Sequence, residues 1–223
     1  MIVRPQQHWL RRIFVWHGSV LSKISSRLLL NFLFSIAVIF MLPWYTHLGI
    51  KFTLAPFSIL GVAIAIFLGF RNNAGYARYV EARKLWGQLM IASRSLLREV
   101  KTTLPDSASI SAVLAGCERI AYTPIPFAYT LILHRTVYLF CIMLPFALVV
   151  DLHYMTPFIS VLISYTFISL DCLAEELEDP FGTENNDLPL DAICNAIEID
   201  LLQMNDEAEI PAKILPDRHY QLT

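Results

Sequence analysis

The stretch 56–70, PFSILGVAIAIFLGF, is uncharged and apolar, and it runs with no break signal into a basic stretch, RNNAGYARYVEARKLWGQLMIASRSLLREVK, that ends near Leu104. No proline lies between Pro56 and Pro105, and Pro56 itself suits a first helical turn, where its missing N–H costs nothing. One continuous helix of up to about 49 residues is therefore permitted, roughly 73 Å at 1.5 Å per residue. About 30 Å of that crosses a hydrocarbon core, so the remainder must project beyond it. The projecting part is amphipathic: Leu85, Leu89, Ala92, Leu96 and Val100 recur at helical spacing, with arginines on other faces. Such a stripe needs a partner helix, from the same chain or from a neighbouring subunit.

A membrane setting follows from composition. Hydrophobic residues make up 56% of the chain, charged residues only 16%, and the mean hydropathy is +0.52, whereas an average globular domain carries about 25% charged residues. Four segments are expected to span: Leu28–Tyr45, Phe52–Phe70, Thr136–Val150 with its upstream Phe127–Leu133, and Leu152–Leu170. Each lacks Asp, Glu, Lys and Arg, except that His134 and Arg135 interrupt the third. These two lie about one turn inside the start of a long helix, where both can snorkel to the membrane surface.

Charge distribution gives an orientation. Arg4, Arg11, Arg12, Lys23 and Arg27 precede the first span, and Arg71, Arg78, Arg83, Lys84, Arg94, Arg98 and Lys101 follow the second. Between the first two spans only Lys51 is basic, and Asp151 marks the joint of the last two, so both termini are expected in the cytoplasm. Residues 1–27 combine Trp9, Phe14 and Trp16 with basic residues and suit a helix at the membrane surface, or an ordinary helix packed on the cytoplasmic side. No cleavage pattern of a removable signal peptide is expected there.

The remaining chain divides at its prolines. LPDSASIS, Leu104–Ser111, is the sharpest polar break, followed by a short helical piece over 112–126. The return to the membrane is therefore brief, although a helix that descends so far should be answered by one of similar length. Pro180 should end the fourth span's helix by Asp179, leaving Glu175, Glu176, Glu178 and Asp179 at its C-terminus, where they oppose the helix dipole and call for a compensating cation. Pro189 opens another amphipathic helix with Leu190, Ile193, Ile197, Leu201 and Met204 on one face, and the tail from Asn205 to Thr223 should lie extended over another surface. The domain scheme is thus 1–27, a membrane region 28–170 with a cytoplasmic extension 71–126, and a cytoplasmic region 171–223.

Catalytic chemistry is missing. There is no H-E-x-x-H, G-x-S-x-G, Walker loop or dinucleotide fingerprint, and His8, His17, His47, His153 and His219 have no evident partners, so no enzyme is expected. Cys117, Cys141, Cys172 and Cys194 have no metal-ligand spacing and read as small apolar fillers. Val62, Ile66 and Phe70 share one face of the second span. They either face lipid or a bundle or, if several copies surround an axis, form stacked apolar rings that gate by dewetting. Just beyond those rings Arg71, Asn72 and Asn73 would offer polar contact to a rehydrating ion. The acidic turn EELEDPFGTENND admits three readings: a calcium site of oxygen ligands, structural pairing with the basic residues of 71–101, or a solvated helix end.

At these residues the chain resembles the bestrophin family, in its bacterial branch. The strings that carry the likeness are PFSILGVAIAIFLGFRNNAGYARYVEARKLWGQL, TPIPFAYTLILHRTVYLFCIMLPFALVVDL and EELEDPFGTENNDLPLD, and the likeness covers nearly all of 1–104 and 111–223. The resemblance implies an all-α integral membrane protein with four transmembrane helices per subunit and five copies around one axial pore. Its neck would be Val62, Ile66 and Phe70 of the second helix. Animal members of the family conduct chloride and other anions, and bacterial relatives are associated with monovalent cations. The implied partners are further copies of the chain, the lipid bilayer of the cell membrane and the permeating ions, with no nucleic acid and no required cofactor. Asp179, Glu184 and Asp187 match positions of the calcium clasp of animal members, but Glu184, Asn185 and Asn186 replace a more uniformly aspartate run. The chain departs from the family in lacking the long cytosolic helical segment between the second and third spans, where DSASIS stands instead. A non-conducting membrane scaffold is the alternative to a channel.

Overall fold

The structure is a computed structural model and describes residues 20–47, 53–102, 108–218 and 220–223. Six α-helices occur among them: α1 (Val20–His47), α2 (Leu54–Thr102), α3 (Ala108–Tyr122), α4 (Phe127–Leu152), α5 (Thr156–Glu178) and α6 (Leu190–Met204). Among the described residues three stretches are long and apolar enough to cross a membrane: Val20–Trp44, Leu54–Val100 and Phe127–Glu178. The third contains both α4 and α5, joined by a three-residue 3-10 turn, His153–Met155. His153 has a φ of 44°, a left-handed conformation that reverses the chain there.

The long helix is present as one element of 49 residues, with bounds two residues earlier than the proline spacing implies. Other boundaries shift for identifiable reasons. The first helix is already helical at Val20, the first described residue, upstream of Leu28, and Ile24 and Leu28 continue its apolar face past Lys23 and Arg27. The third is unbroken across His134 and Arg135; His134 meets Asp171 and Arg135 is exposed without leaving the helix. The fourth begins at Thr156, after the 3-10 turn, not at Leu152. The short helix starts at Ala108, inside the expected polar break, of which residues 103–107 lie outside the described ones. The expected surface helix over residues 1–27 also falls outside them up to residue 19.

The chain forms two compact units, and α2 and α5 contribute to both. One unit comprises 19–73 and 125–175. Its core joins Ile24 of α1, Ile64 and Leu68 of α2, Val137, Phe140, Cys141, Leu144 and Leu148 of α4, and Ile168 and Cys172 of α5. Close approach of α2 to α4 depends on Gly61, where a Cβ would stand 3.3 Å from Phe140 Cζ. On α5, Thr156, Ser160 and Ser164 are fully buried, a stripe of small residues that admits neighbouring backbones. Outside this core the unit is apolar: Leu30 and Phe40 of α1 and Leu139 of α4 are exposed, as they are on a protein whose solvent is lipid.

A proline inside α4 governs the packing of three helices. Pro145 has no N–H for the carbonyl four residues back, that of Cys141. Asn31 Nδ2 donates to that same Cys141 oxygen at 2.9 Å. The other end of the amide, Asn31 Oδ1, accepts from Ser160 Oγ at 2.9 Å, so one buried side chain ties α1 to α4 and α5.

The second unit includes 74–124 and 176–223. Its core is small: Ala82, Ile120 and Leu188, with Tyr79, Leu85, Trp86, Phe181 and Leu190 packed around them. Arg78 donates from its three nitrogens to the carbonyls of Glu178 at 3.0 Å, Thr123 at 2.5 Å and Ile120 at 2.7 Å. These carbonyls lie at the C-termini of α5 and α3, so one guanidinium satisfies orphan acceptors of two helices. This is the cation that the acidic end of α5 calls for. Arg94 pairs with Asp200 of α6 and Arg119 with Glu81, so the basic residues of α2 and α3 reach beyond the acidic turn. The tail runs extended along α6, held by Asn195, whose amide donates to Ala212 O at 3.2 Å and accepts from Ile214 N at 3.0 Å.

Candidate ion pathway

Successive residues of a helix are about 100° apart, so two residues apart means nearly opposite faces. On α2, Phe57, Gly61, Ile64, Leu68 and Arg71 turn towards their own unit, while Ile59, Val62, Ile66 and Phe70 stand outward. Val62 is 62% exposed, Ile66 52% and Phe70 64%. An uncharged apolar ridge is thus left uncovered along the membrane part of the longest helix. The three residues singled out by spacing do share this face.

The polar residues that follow do not stay together. Arg71 falls seven residues after Ile64 and therefore on the inward face, where it is 2% exposed. Its Nη1 lies 2.5 Å from Asp171 Oδ1, and that aspartate is 3% exposed. The expectation that Arg71 meets an ion below the apolar rings is corrected by this phase: its charge is spent inside the helix bundle. Asn72 also turns back, donating to Leu68 O at 3.0 Å and Leu170 O at 3.2 Å. Only Asn73, exposed and seven residues after Ile66, continues the outward face.

Asp171 is the residue that spacing alone passes over. Its second oxygen, Oδ2, lies 2.7 Å from His134 Nδ1, whose ring is 44% exposed. His134 stacks at 4.5 Å on Tyr138, and the Tyr138 hydroxyl accepts from Arg27, whose guanidinium carbon is 5.5 Å from the same ring. His134 therefore has polar partners within the helix bundle. It belongs to a belt, Arg27–Tyr138–His134–Asp171–Arg71, that links α1, α4, α5 and α2 in that order. A lone acid between Asp151 and Glu175 was the available signal, because ionisable residues beside a span are functional candidates by default.

The acidic turn closes on itself. Glu184 N donates to Asp187 Oδ2 at 2.5 Å, Asp187 N to Glu184 O at 3.1 Å and Leu188 N to Pro180 O at 3.0 Å. Asn186 Nδ2 donates to Glu176. Gly182 is required here, since a Cβ would stand 2.6 Å from Asp187 Oδ2 and 3.5 Å from Asp179 Oδ2. Asp187 is buried, and burial pushes its carboxyl above the ordinary aspartate range; the Glu184 N–H opposes the shift, while Asp179, Glu184 and Glu176 add to it. Its Oδ1 is buried and accepts no hydrogen bond. Calcium takes six to eight oxygens, and these residues do not present such a shell. Asp179 and Glu184 are exposed, one Asp187 oxygen is engaged by backbone, and no group of three His, Cys, Asp or Glu that could hold a metal ion occurs among the described residues.

An uncovered apolar ridge on a long apolar helix, with a charged belt at its end, fits an integral membrane protein whose helices meet lipid or further copies. The family model described as Bacterial/Fungal Bestrophin protein matches residues 1–110 and 106–203, and the chain belongs to the bestrophin family, which is one of ion channels and not of enzymes. It is 73% identical over 304 residues to the voltage-dependent anion channel-forming protein YneE of Escherichia coli K12, with all of both chains covered. To the voltage-dependent anion channel-forming protein mll4386 of Mesorhizobium japonicum it is 35% identical, covering 97% of this chain and 95% of that one. The crystal structure of a bacterial bestrophin homolog from Klebsiella pneumoniae is similar with a TM-score of 0.79 and 45% identity, over 83% of this chain and 100% of that one.

The first alignment also measures what is missing. It has 304 positions and this chain 223 residues, so at least 81 positions (304 − 223) are gaps on this side. As 73% of 304 is about 222, nearly every residue present faces an identical one. The family match breaks where its two parts meet, at 106–110. A segment between the second and third apolar stretches is the part this chain lacks relative to that protein.

Proposed function

We propose that the chain forms an anion channel of the cell membrane, in which five copies place α2 around one axis and Val62, Ile66 and Phe70 form an apolar neck. The observation that carries this reading is the exposed ridge of α2. A helix whose inward face is packed and whose outward face is apolar, uncharged and continuous has the surface that a dewetting constriction needs. Asn73, next along that face, gives a leaving ion its first polar contact. The chain crosses the bilayer four times, through α1, the first part of α2, α4 and α5, because the turn at His153–Met155 divides the last apolar stretch into two helices of spanning length. Both termini are cytoplasmic by the excess of Lys and Arg beyond the second span.

The sign of the ion rests on the relatives, whose names are those of anion channels; the neck carries no side-chain charge. No resident calcium is needed. The acidic turn is held by its own backbone and by Asn186, and acts as a structural joint.

Purified protein in a planar bilayer with NaCl concentrated on one side tests the reading. The expected zero-current potential makes the dilute side negative, as chloride passage requires. A positive dilute side replaces the anion by a cation. No current favours a scaffold over a channel, and a current that Phe70→Ala and Ile66→Ala leave unaltered removes these residues from the neck.

A further inference from the structure

The belt is more than a fastening, because of where it meets α2. Arg71 is the residue next to Phe70, and on a helix that neighbour is about 100° away. Whatever fixes the direction of the Arg71 side chain therefore fixes the direction of Phe70. Asp171 does this from α5, through a contact at 2.5 Å in which both partners are almost wholly buried. Removing one partner of a buried pair leaves an uncompensated charge, so α2 cannot rotate cheaply while Asp171 is ionised and engaged.

We infer that Asp171 and His134 are positioning residues for the neck, and that proton uptake by His134 weakens the hold of Asp171 on Arg71 and lets the face of α2 that carries Phe70 turn. The inference rests on the neck reading given above. Histidine is the side chain that ordinarily changes charge between about pH 5 and 8, and the His134 ring is open enough to solvent to exchange a proton. Neutral, His134 donates its Nδ1 hydrogen to Asp171 Oδ2 and leaves the carboxylate charge to Arg71. Charged, it becomes a second cation on the same carboxylate, and like charges brought together this closely disfavour each other. The surroundings do not absorb the added charge. Around the ring and its carboxylate are Tyr138 of α4, Arg27 of α1 by way of Tyr138, Asp171 of α5 and, on the other oxygen of Asp171, Arg71 of α2, with Cys172 near Tyr138. Asp171 is the carboxylate among these groups, against Arg27 and Arg71.

The experiment compares bilayer currents at about pH 8 and about pH 5.5, on either side of the usual histidine charge change, for the full chain and for His134→Gln. Gln keeps a donor for Asp171 but takes up no proton. The unaltered chain is expected to gain current on acidification by about fivefold, the low end of coupling between sites, and His134→Gln to show a flat profile. A pH response that persists in His134→Gln overturns the inference and leaves the channel intact. A second readout does not need current: the rate at which a water-soluble thiol reagent modifies Phe70→Cys, followed at that site by mass. Divided by the rate of a free cysteine with the same reagent at each pH, because only the thiolate reacts, it should rise on acidification, rise at both pH values when Asp171→Asn is added, and lose its pH response when His134→Gln is added. If no variant conducts, the channel reading fails, and these rates alone decide the inference: rates indifferent to pH and to Asp171→Asn overturn it.

Discussion

Pro145 and Asn31 lie more than a hundred residues apart, yet each explains the other. A proline in the interior of a membrane helix leaves a carbonyl without its donor in a place where water cannot replace it, and Asn31 Nδ2 supplies the donor to Cys141 O. Asn31→Leu should destabilise the protein by about 1–3 kcal/mol, the cost of a buried acceptor left unmade. Pro145→Ala restores the backbone N–H and should recover part of that loss, so the pair is expected to be non-additive by at least about 0.5 kcal/mol. Thermal or denaturant unfolding of both single variants and the double variant in detergent measures the coupling; strictly additive losses would remove Pro145 from the explanation. Such pairs show the limit of reading a sequence. The ridge Val62, Ile66, Phe70 is legible because its period belongs to one helix. Arg71 lies on the inward face although it follows Phe70, because adjacency in sequence is not adjacency on a helix. Asp171, His134 and Arg27 could not be connected at all, since the contacts depend on how four helices are rotated against one another, and spacing carries no information on that.

At the scale of elements, the acidic turn after α5 shows how a loop can be fixed at an electrostatic cost. The prolines and glycine that bound it are readable in DPFGTENNDLP, and so is the helix that Pro189 opens. Which of its acids is buried is not readable, because Asp187 is drawn inward by the Glu184 amide and by the space that Gly182 leaves open. Since the Asp187 carboxyl is held above its ordinary value, the folded state binds a proton more readily than the unfolded chain does. Stability therefore falls as pH rises from the ordinary aspartate range through the folded value, and is regained on acidification. Other carboxylates add their own pH dependence, so the difference between the chain and Asp187→Asn is the informative quantity. Asn can accept from Glu184 N and turn its amide hydrogens towards Asp179 and Glu176. At neutral pH the variant is expected to melt a few degrees higher, the scale of about 1 kcal/mol in a chain of this size. The advantage should shrink steadily towards pH 4. A variant that melts lower at neutral pH and gains nothing from acid would show that the charged form of Asp187 is the one the turn needs.

At the scale of the molecule, the two units differ in how much they bury. The one that holds the ridge has a core built from ten apolar side chains of four helices, whereas the other centres on Ala82, Ile120 and Leu188. In that second unit Ile91, Val100 and Leu114 are more than half exposed, and an apolar groove is lined by Trp86, Leu89, Ile110, Ile197, Leu201 and Leu202. The uncovered residues on α2 and α3 flank the place where the alignment with the E. coli relative opens its gap of at least 81 positions. A unit with so little core exchanges little apolar surface for the entropy of ordering its chain, so it should open before the other does. The cysteines report this without added labels. Cys117 belongs to the unit with the smaller core and Cys141 to the unit with the larger one. Burial pushes the Cys117 thiol above its ordinary range, and because only the thiolate reacts, Cys117 stays slow while its surroundings are folded. On heating in detergent, Cys117 is expected to become reactive at a temperature about 5 °C or more below Cys141, a gap equivalent to roughly 1–2 kcal/mol. Splicing the segment of the E. coli relative back between 106 and 110 should raise the Cys117 temperature and leave that of Cys141 nearly fixed. Simultaneous exposure of both thiols, with or without the segment, would mean that the continuous helices α2 and α5 make the two units melt as one.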